Sequence, residues 1–374
     1  WSFRPNRRHE SVAMSVTNTS PDSDFSIGVS NTEDPTAASS FSEKIAGLSL
    51  SGWRRLALFV GLFVALLLPF IFEGFTVFQL TLAGIYAIAI LGLNILTGYN
   101  GQFSLGHSVF YAIGAYTSAI LVEQFAMSSY ITIPIAAIVC LAVGFLFGLT
   151  VTRLAGLYLA LSTFALALAT PQILKHKSLE HLTGGVGGLD IFKPDVPAGI
   201  PLEPDQWWYF VMLIILIFML WATHNLVNSR SGRAMKAIRD NPIAARSMGI
   251  NSTLNKAIAF GISGLYAGVA GALAAIVIEF VAPDSFTFNL AFLFLTGMVI
   301  GGIASIPGVI FGALFVLFLP NFAEDISKNL AYAVFGVLLI LTVYLMPSGA
   351  AGFFRSFLLR LKKELLARSS VERG

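Results

Sequence analysis

Residues 76–97 read TVFQLTLAGIYAIAILGLNILT, an apolar stretch of 22 residues that contains no charged side chain. A helix needs about 20 apolar residues to cross the hydrocarbon core of a membrane, so this stretch predicts a membrane-spanning helix. Similar stretches predict ten spans, at residues 53–72, 76–97, 107–125, 131–152, 157–174, 207–227, 254–281, 286–302, 308–320 and 330–346. The third, eighth and ninth are short or rich in Gly and small polar residues, so some are expected to be re-entrant or broken segments packed on protein.

The composition of the whole chain agrees with a membrane protein. Of the 374 residues, 56% are hydrophobic and 11% are charged, and the mean hydropathy is +0.78. Soluble domains carry about 25% charged residues, and this much apolar surface would leave large patches in water. A large soluble enzyme is therefore excluded, and the predicted fold is an all-α, polytopic transmembrane helical bundle.

Glycines recur in pairs at four-residue spacing within the predicted spans. The pairs are Gly144 and Gly148, Gly264 and Gly268, Gly297 and Gly301, and Gly308 and Gly312. Such pairs let helix backbones approach closely in lipid. We expect most of them to serve helix packing, with a pore lining as the alternative.

Charged residues orient the ten spans. Basic side chains cluster before the first span and after the fourth, the sixth and the last, at Arg54, Arg55, Arg153, Arg230, Arg233, Lys236, Arg239, Arg246, Arg355, Arg360, Lys362 and Lys363. The intervening loops are acidic or neutral, so ten alternating spans place every strongly basic loop on the cytoplasmic side. Both termini are therefore predicted to be cytoplasmic.

The chain is predicted to have three parts. Residues 1–50 are rich in Ser, Thr, Asn, Asp and Pro without apolar periodicity, and they predict a disordered cytoplasmic tail. A transmembrane domain covers residues 51–350, with a cytoplasmic loop at 229–256 and an extracytoplasmic loop at 175–206. Residues 351–374 are predicted to form a basic cytoplasmic tail.

The sequence lacks the residues that several kinds of chemistry require. The sequence has no G-x-x-x-x-G-K-[ST] loop for ATP, and the glycine-rich stretch 183–188 has no following Lys. There is one cysteine, Cys140, and no His or carboxylate cluster, so neither a metal site nor a cofactor is predicted. The basic residues flank apolar runs, which predicts contact with membrane lipid and not with nucleic acid. The chain is therefore not expected to be an enzyme, and a transporter of this kind must draw its driving force from a partner.

Two segments carry most of the functional signal. In the loop 229–256, Asn241 is a good N-cap, Pro242 suits the first helical position and Gly249 suits the C′ position, which together predict a short capped helix. That helix either docks into an ATPase or lies in the interface beside anionic lipid. The second segment is Thr97–His107 together with the residues just before it, and it is broken by glycines. It concentrates polar side chains at Asn94, Tyr99, Gln102, Ser104 and His107, which either line a solute path or form a polar cytoplasmic turn.

The loop 232–251, GRAMKAIRDNPIAARSMGIN, resembles the coupling loop of the LivM family of branched-chain amino acid ABC permeases. Five further stretches are similar to that family in the same order along the chain. They are LNILTGYNGQFSLGH at 93–107, GAY at 114–116, GLYLALST at 156–163, LTGG at 182–185 and GGIASIPG at 301–308. The resemblance covers about residues 53–352. Many such permeases carry Glu just after the Asp-Asn pair, and Pro242 stands there in this chain, so Asp240 or Arg239 is expected to make that charged contact.

The resemblance implies the permease subunit of an ABC importer in the bacterial inner membrane, with branched-chain amino acids as solute. Its implied partners are a LivH-like second permease, two cytoplasmic ATPases and a periplasmic solute-binding protein. The residues implied to couple to the ATPases are Gly232, Arg233, Arg239, Asp240, Pro242, Ala244, Ala245, Met248 and Gly249. Urea, a short amide or an aromatic acid is an alternative solute, and a secondary carrier is the alternative class.

Overall fold

The computed structural model describes residues 60–326 except 73, 152, 153, 155, 198 and 200, together with residues 333, 336, 337, 339–341, 344, 349, 350 and 352. The described residues from 63 onward form one compact unit, and the described fold belongs almost entirely to it. The predicted tail 1–50 lies outside the described residues, as do most of the predicted tenth span and all of the predicted tail 351–374 except residue 352.

Helices make up most of the described part of the chain. In order they are α1 Val60–Ile71, α2 Phe75–Leu93, α3 His107–Phe125, α4 Ser129–Val151, α5 Leu157–Leu174, α6 Glu180–Thr183, α7 Pro204–Asn228, α8 Arg230–Asp240, α9 Pro242–Ser247, α10 Ser252–Ile278, α11 Phe288–Gly301 and α12 Gly308–Ile326. A π-helical turn, Asn94–Tyr99, extends α2, and a 3₁₀ turn, Pro283–Phe286, precedes α11. Two short strands, β1 Leu189–Asp190 and β2 Phe280–Val281, pair antiparallel.

The described helices stand where the sequence predicts the first nine spans. Five of them are long and apolar enough to cross a membrane, at Phe75–Tyr99, Ser129–Val151, Leu157–Leu174, Pro204–Asn228 and Ser252–Ile278. The three spans predicted to be weak are α3, α11 and α12, and none of these helices is among the five. The chain is thus a multi-pass helical membrane protein, and five is the number of spans that the described residues support by length and composition.

Helices α2 and α10 form the centre of the bundle. In their most apolar windows 78% and 83% of the residues are buried, against 33% in both α5 and α7. Glycines bring α10 against its neighbours, because a Cβ at Gly264 would lie 2.6 Å from the Cys140 carbonyl oxygen and one at Gly144 would lie 2.7 Å from the Phe260 carbonyl oxygen. The prediction that these glycines serve helix packing is therefore confirmed.

The two ends of the bundle carry different connections and helices. The end with residues 175–203, here called the outer end, is joined by the β1–β2 pair, by Lys175 bonded to Asp284 at 2.6 Å and by Gln124 donating to the His181 carbonyl at 3.0 Å. The opposite end, here called the inner end, carries α8 and α9. These and further contacts place the ends of α3, α5 and α10 at the outer end, and they place the end of α2 and the start of α10 at the inner end.

Candidate functional site

Helix α2 does not continue as a regular α-helix to its inner end. The six residues after α2, Asn94–Tyr99, form the π-helical turn, where the Asn100 amide donates to the Ile95 carbonyl at 3.2 Å. Gly101 follows with a φ of +73°, a conformation that glycine adopts without steric cost. Single π turns inside α-helices are rare and occur frequently at functional sites. We call residues 94–107, from this turn to the start of α3, the broken segment.

The broken segment returns toward the middle of the bundle. His107, which begins α3, lies with Nε2 2.8 Å from the Ala89 carbonyl oxygen. Ala89 precedes Tyr99 by ten residues, which corresponds to about 15 Å along a helix. The segment therefore re-enters the bundle, whereas the sequence leaves it open between a solute path and a polar cytoplasmic turn. Because a carbonyl only accepts, Nε2 carries the proton, and the buried Nδ1 has no hydrogen-bond partner among the described residues.

Asn94 holds the π turn to the connection between α11 and α12. Its Nδ2 donates to the Ser305 carbonyl at 3.0 Å, and its Oδ1 accepts from the Ala304 amide at 2.8 Å. Gly98 is required beside this pair, because a Cβ there would lie 2.2 Å from Asn94 Oδ1. The Asn94 side chain is fully buried. Both polar atoms of its side-chain amide thus bond to this chain's own backbone.

The other polar residues of the broken segment also bind within the chain. Gln102 Nε2 donates to the Lys256 carbonyl at 3.3 Å, and Ser104 Oγ accepts from the Gly106 amide at 3.3 Å. The Tyr99 ring lies under the Lys236 ammonium, 5.8 Å from the ring centroid. The structure thus brings all five predicted pathway residues into one segment. Among them, His107 is the residue with a buried side-chain nitrogen or oxygen left unpaired in the described part of the chain.

Sequence reasoning did not select several buried polar groups near this segment. The described residues leave the side-chain polar atoms of Ser108, Tyr116 and Ser263 buried without a partner, as they do those of Asn100 within the predicted segment. Ser108 follows His107 directly, and Tyr116 lies two turns further along α3. A lone Ser or Tyr inside an apolar run gives no periodic signal, so only the tertiary structure identifies these groups.

A continuous series of ring contacts runs outward from His107. The rings of His107, Tyr86 and Tyr111 each contact Phe294, with centroids 6.0, 5.4 and 5.3 Å away. Tyr111 and Tyr116 in turn contact Phe286 at 6.0 and 5.8 Å, near the outer end. We call Tyr86, Tyr111, Tyr116, Phe286 and Phe294 the aromatic column. It offers apolar faces and phenol hydroxyls along one line from the broken segment toward the outer end.

The inner end carries the second site, built from α8 and α9. Ser229 caps α8 by accepting from the Gly232 amide at 3.3 Å. Gly232 allows a tight corner after α7, since a Cβ there would lie 2.3 Å from the Leu226 carbonyl oxygen. Arg233 donates to the Asn228 carbonyl at 2.9 Å across the same corner. These contacts fix α8 against the end of α7.

Helix α9 is capped as the sequence predicts. Asn241 Oδ1 accepts from the amides of Ile243 and Ala244, both at 3.1 Å, and Pro242 occupies the first turn. Gly249 follows with a φ of +81°. The predicted capped helix, its N-cap and its terminal glycine are therefore confirmed. Helix α10 begins at Ser252, so the last residues of the predicted loop belong to that helix.

The faces of α9 are clearly divided. Ala245 is buried against the body of the protein, whereas the side chains of Ile243 and Met248 are 81% and 83% exposed. Pro242 and Ala244 are exposed as well. Arg239, at the end of α8, pairs with the exposed carboxylate of Asp240 at 2.9 Å and also donates to the Gly98 carbonyl at 2.9 Å. The inner end thus presents two large apolar side chains beside a basic helix.

Among the residues that the structure describes, no three His, Cys, Asp or Glu side chains come together as a metal site requires. The two sites instead consist of a re-entrant segment with an aromatic column and of an exposed capped helix at the inner end. Neither arrangement offers a nucleophile paired with a base, and both suit binding and motion.

Comparison with known proteins agrees with these features. The family described as branched-chain amino acid transport system / permease component matches residues 75–343. The chain is 33% identical over 319 residues to the high-affinity branched-chain amino acid transport system permease protein LivM of Escherichia coli, covering 79% of this chain and 74% of LivM. It is 27% identical to the corresponding BraD of Pseudomonas aeruginosa, covering 73% of this chain and 93% of BraD.

The LivH permease protein of the same Escherichia coli system is 25% identical, covering 73% of this chain and 92% of LivH. No solved structure matches the chain. The matched region begins with α2 and includes the broken segment, α8 and α9. This chain therefore belongs to the permease component family of the branched-chain amino acid transport system.

Proposed function

We propose that this chain is the permease subunit of an ABC importer that carries leucine, isoleucine and valine, or a related small polar solute, across the bacterial inner membrane. The solute class is the one for which its relatives LivM and BraD are named. The observation that carries the proposal is α9, a separately capped helix whose Ile243 and Met248 side chains are exposed at the inner end. A short exposed apolar helix of this kind suits a cleft in an ATPase subunit.

The proposed complex contains a LivH-like second permease, two cytoplasmic ATPases and a periplasmic solute-binding protein. Similarity to both LivM and LivH supports a pair of related permeases. ATP hydrolysis takes place on the partner chains, because this sequence has no phosphate-binding loop. The residues proposed to couple to the ATPases are Gly232, Arg233, Arg239, Asp240, Pro242, Ala244, Ala245, Met248 and Gly249.

The proposed topology has ten spans with both termini in the cytoplasm. The alternating helix directions support it, as does the basic character of α8 at the inner end. The tails 1–50 and 351–374 are then cytoplasmic, and the transmembrane domain covers 51–350. Residues 175–206 face the periplasm, where a solute-binding protein would dock.

The proposed solute path follows the aromatic column to the broken segment. Aromatic faces suit a branched aliphatic side chain, and the unpaired Nδ1 of His107 suits the ammonium group of an amino acid. Asn94, Tyr99, Gln102 and Ser104 shape the inner part of this path. Asn94, Gln102 and Ser104 do so through their hydrogen bonds to the chain's own backbone.

The proposal is tested on the complex purified through a tag on this chain and reconstituted in proteoliposomes. With ATP on the side of α9 and the solute-binding protein on the other side, we expect uptake of radiolabelled leucine that stops without ATP and persists with a protonophore. Labelled urea serves as the competing solute. Uptake that needs a proton gradient and ignores ATP would instead identify a secondary carrier.

A further inference from the structure

Arg239 connects the inner helices to the broken segment. Its Nη1 donates to the Gly98 carbonyl at 2.9 Å, and its Nε donates to Asp240 Oδ1 at 3.0 Å. The carboxylate of Asp240 orients the guanidinium, whose second arm then reaches the π turn. A hydrogen bond from a charged donor is stronger than one from a neutral donor. This contact joins two parts of the chain that lie 141 residues apart.

Glycines allow α8 to approach the broken segment at backbone distance. A Cβ at Gly101 would lie 2.7 Å from Arg239 Cγ and 3.2 Å from Arg239 Cβ. No side chain therefore stands between α8 and the turn at Gly101. A movement of α8 at this point acts on the backbone of the segment directly.

Two further contacts strengthen the same junction. Lys236, three residues before Arg239 on the same face of α8, lies over the Tyr99 ring. On the α10 side, Gln102 donates to the Lys256 carbonyl. Met235 and Ile238 of α8 are buried, so this face of the helix is held by packing as well as by charge.

The contact continues beyond the π turn. Asn94, in the same turn as Gly98, holds the amide of Ala304 and the carbonyl of Ser305. These residues connect α11 to α12, and α11 carries Phe294 of the aromatic column. A continuous series of hydrogen bonds and close backbone contacts thus leads from α8 to the elements that line the proposed path.

We infer that Arg239 is a positioning residue that fixes α8 to the π turn, so that the two move as one body when the ATPases displace the inner helices. It acts through Gly98 and Asn94 and does not touch the solute. This inference rests on the proposed function and specifies how the broken segment receives its motion. It also assigns Arg239 a role inside the chain in place of a contact with the ATPase.

The first test replaces the guanidinium in the complete complex. Arg239→Met keeps a similar length of side chain but removes both charged hydrogen bonds. We expect the complex to co-purify with its ATPases and to hydrolyse ATP, while leucine transported per ATP falls by at least roughly tenfold, the scale of one charged hydrogen bond. The matched control is Arg230→Met, an exposed arginine on the same helix, which should keep the wild-type ratio.

The second test locks the junction reversibly. Gly101→Cys combined with Arg239→Cys places two Cβ atoms near the separation that a disulfide needs. Cysteine at Gly101 is strained because of the positive φ, and comparing the oxidised and reduced forms of one preparation removes that strain from the result. Since α8 and the turn move together, the oxidised form should transport at least as well per ATP as the reduced form. The variant Gly101→Cys alone, treated with the same oxidant, should not respond.

These outcomes separate the inference from the proposed function. If the wild type and Arg230→Met show no ATP-dependent uptake, the proposed function itself fails. If they transport normally and Arg239→Met keeps the wild-type amount of leucine per ATP, the positioning role is wrong. It is equally wrong if oxidation of the double cysteine variant blocks transport and a reductant restores it, because the junction must then open during the cycle.

Discussion

Asn94 shows how a single buried amide can define the shape of a membrane segment. Both ends of its side chain bond to the backbone at Ala304 and Ser305, and Gly98 leaves room for the pair. Without Asn94, the Ala304 amide and the Ser305 carbonyl, which are partly buried, would lose their side-chain partner. Each unsatisfied buried group costs about 1–3 kcal/mol. The π turn and the α11–α12 connection therefore depend on each other through one residue.

We predict that Asn94→Ala lowers the free energy of unfolding by roughly 1–3 kcal/mol, since it removes two hydrogen bonds to partly buried backbone groups. The measurement is the thermal midpoint of the purified protein in detergent. The control is Asn255→Ala, which removes an exposed bond to the Asn251 carbonyl and should change the midpoint little. Equal midpoints for the two variants would show that the Asn94 contacts do not support the fold.

His107 provides the sharpest test of the proposed path at the residue scale. His107→Phe keeps a ring beside Phe294 but loses the bond to Ala89 and the free Nδ1. We expect leucine uptake to fall by at least about tenfold with the protein still in the membrane, because one lost polar contact corresponds to roughly that factor. The matched control is His224→Phe, an exposed histidine of α7. Unchanged uptake in His107→Phe would favour a polar turn over a solute path.

At the scale of elements, α9 combines a buried side and an exposed side within six residues. Ala245 faces the body of the protein, and Gly249 ends the helix at a positive φ that a β-branched residue adopts only with strain. These two positions hold α9 in place without forming its exposed surface. Changes there test the orientation of the helix separately from its contacts with a partner.

We predict that Ala245→Asp and Gly249→Val each uncouple ATP hydrolysis from uptake. A carboxylate at position 245 would lose its hydration and push α9 away from the body, and valine at 249 would distort the end of the helix. The measurement is leucine transported per ATP in proteoliposomes, with membrane insertion checked by the amount of protein recovered. Ser247→Ala, on the exposed side, is the conservative control. Normal coupling in both variants would contradict a role for α9 in transmission.

The whole molecule has two ends whose identity can be tested chemically. Cys140 is fully buried, so a membrane-impermeant maleimide should leave the wild type unlabelled. Phe192, at 89% exposure, lies in the outer connection, and Met248 lies at the inner end. We predict that Phe192→Cys reacts once the outer membrane is permeable, whereas Met248→Cys reacts only after the inner membrane is opened. The reverse pattern would overturn the proposed topology.

Much of this architecture follows from local sequence. Apolar runs of sufficient length predict the long helices, and Asn241, Pro242 and Gly249 predict α9 because caps depend on neighbours only a few residues away. Local sequence does not predict the π turn, because NILTGY continues the apolar run of α2 without an interruption. The turn is held in part by the Ala304 amide, which donates to Asn94 from 210 residues away in the sequence.

The candidate site was predicted as a segment but not in the role of each residue. Sequence reasoning gathered Asn94, Gln102 and Ser104 because polar side chains in an apolar run suggest contact with a solute. In the structure these three bond to the chain's own backbone, and the unpaired atoms belong to His107 and to residues such as Ser108 and Ser263. A polar residue in a membrane seeks any partner, and sequence alone does not distinguish a backbone from a ligand.

The π turn at the end of α2 also limits how the chain tolerates changes in length. A π turn holds about one residue more than the α turn it replaces, so deleting one residue between Asn94 and Tyr99 would let α2 run on as a regular helix. Without such a deletion, a regular α-helix through the same six residues would rotate every later residue by about 100° around the axis, the angle of one α-helical step. The Gly98 carbonyl would no longer face Arg239. A regular α2 of unchanged length would therefore be mismatched to the rest of the protein, so the irregular turn is an adaptation of the helix to its neighbours.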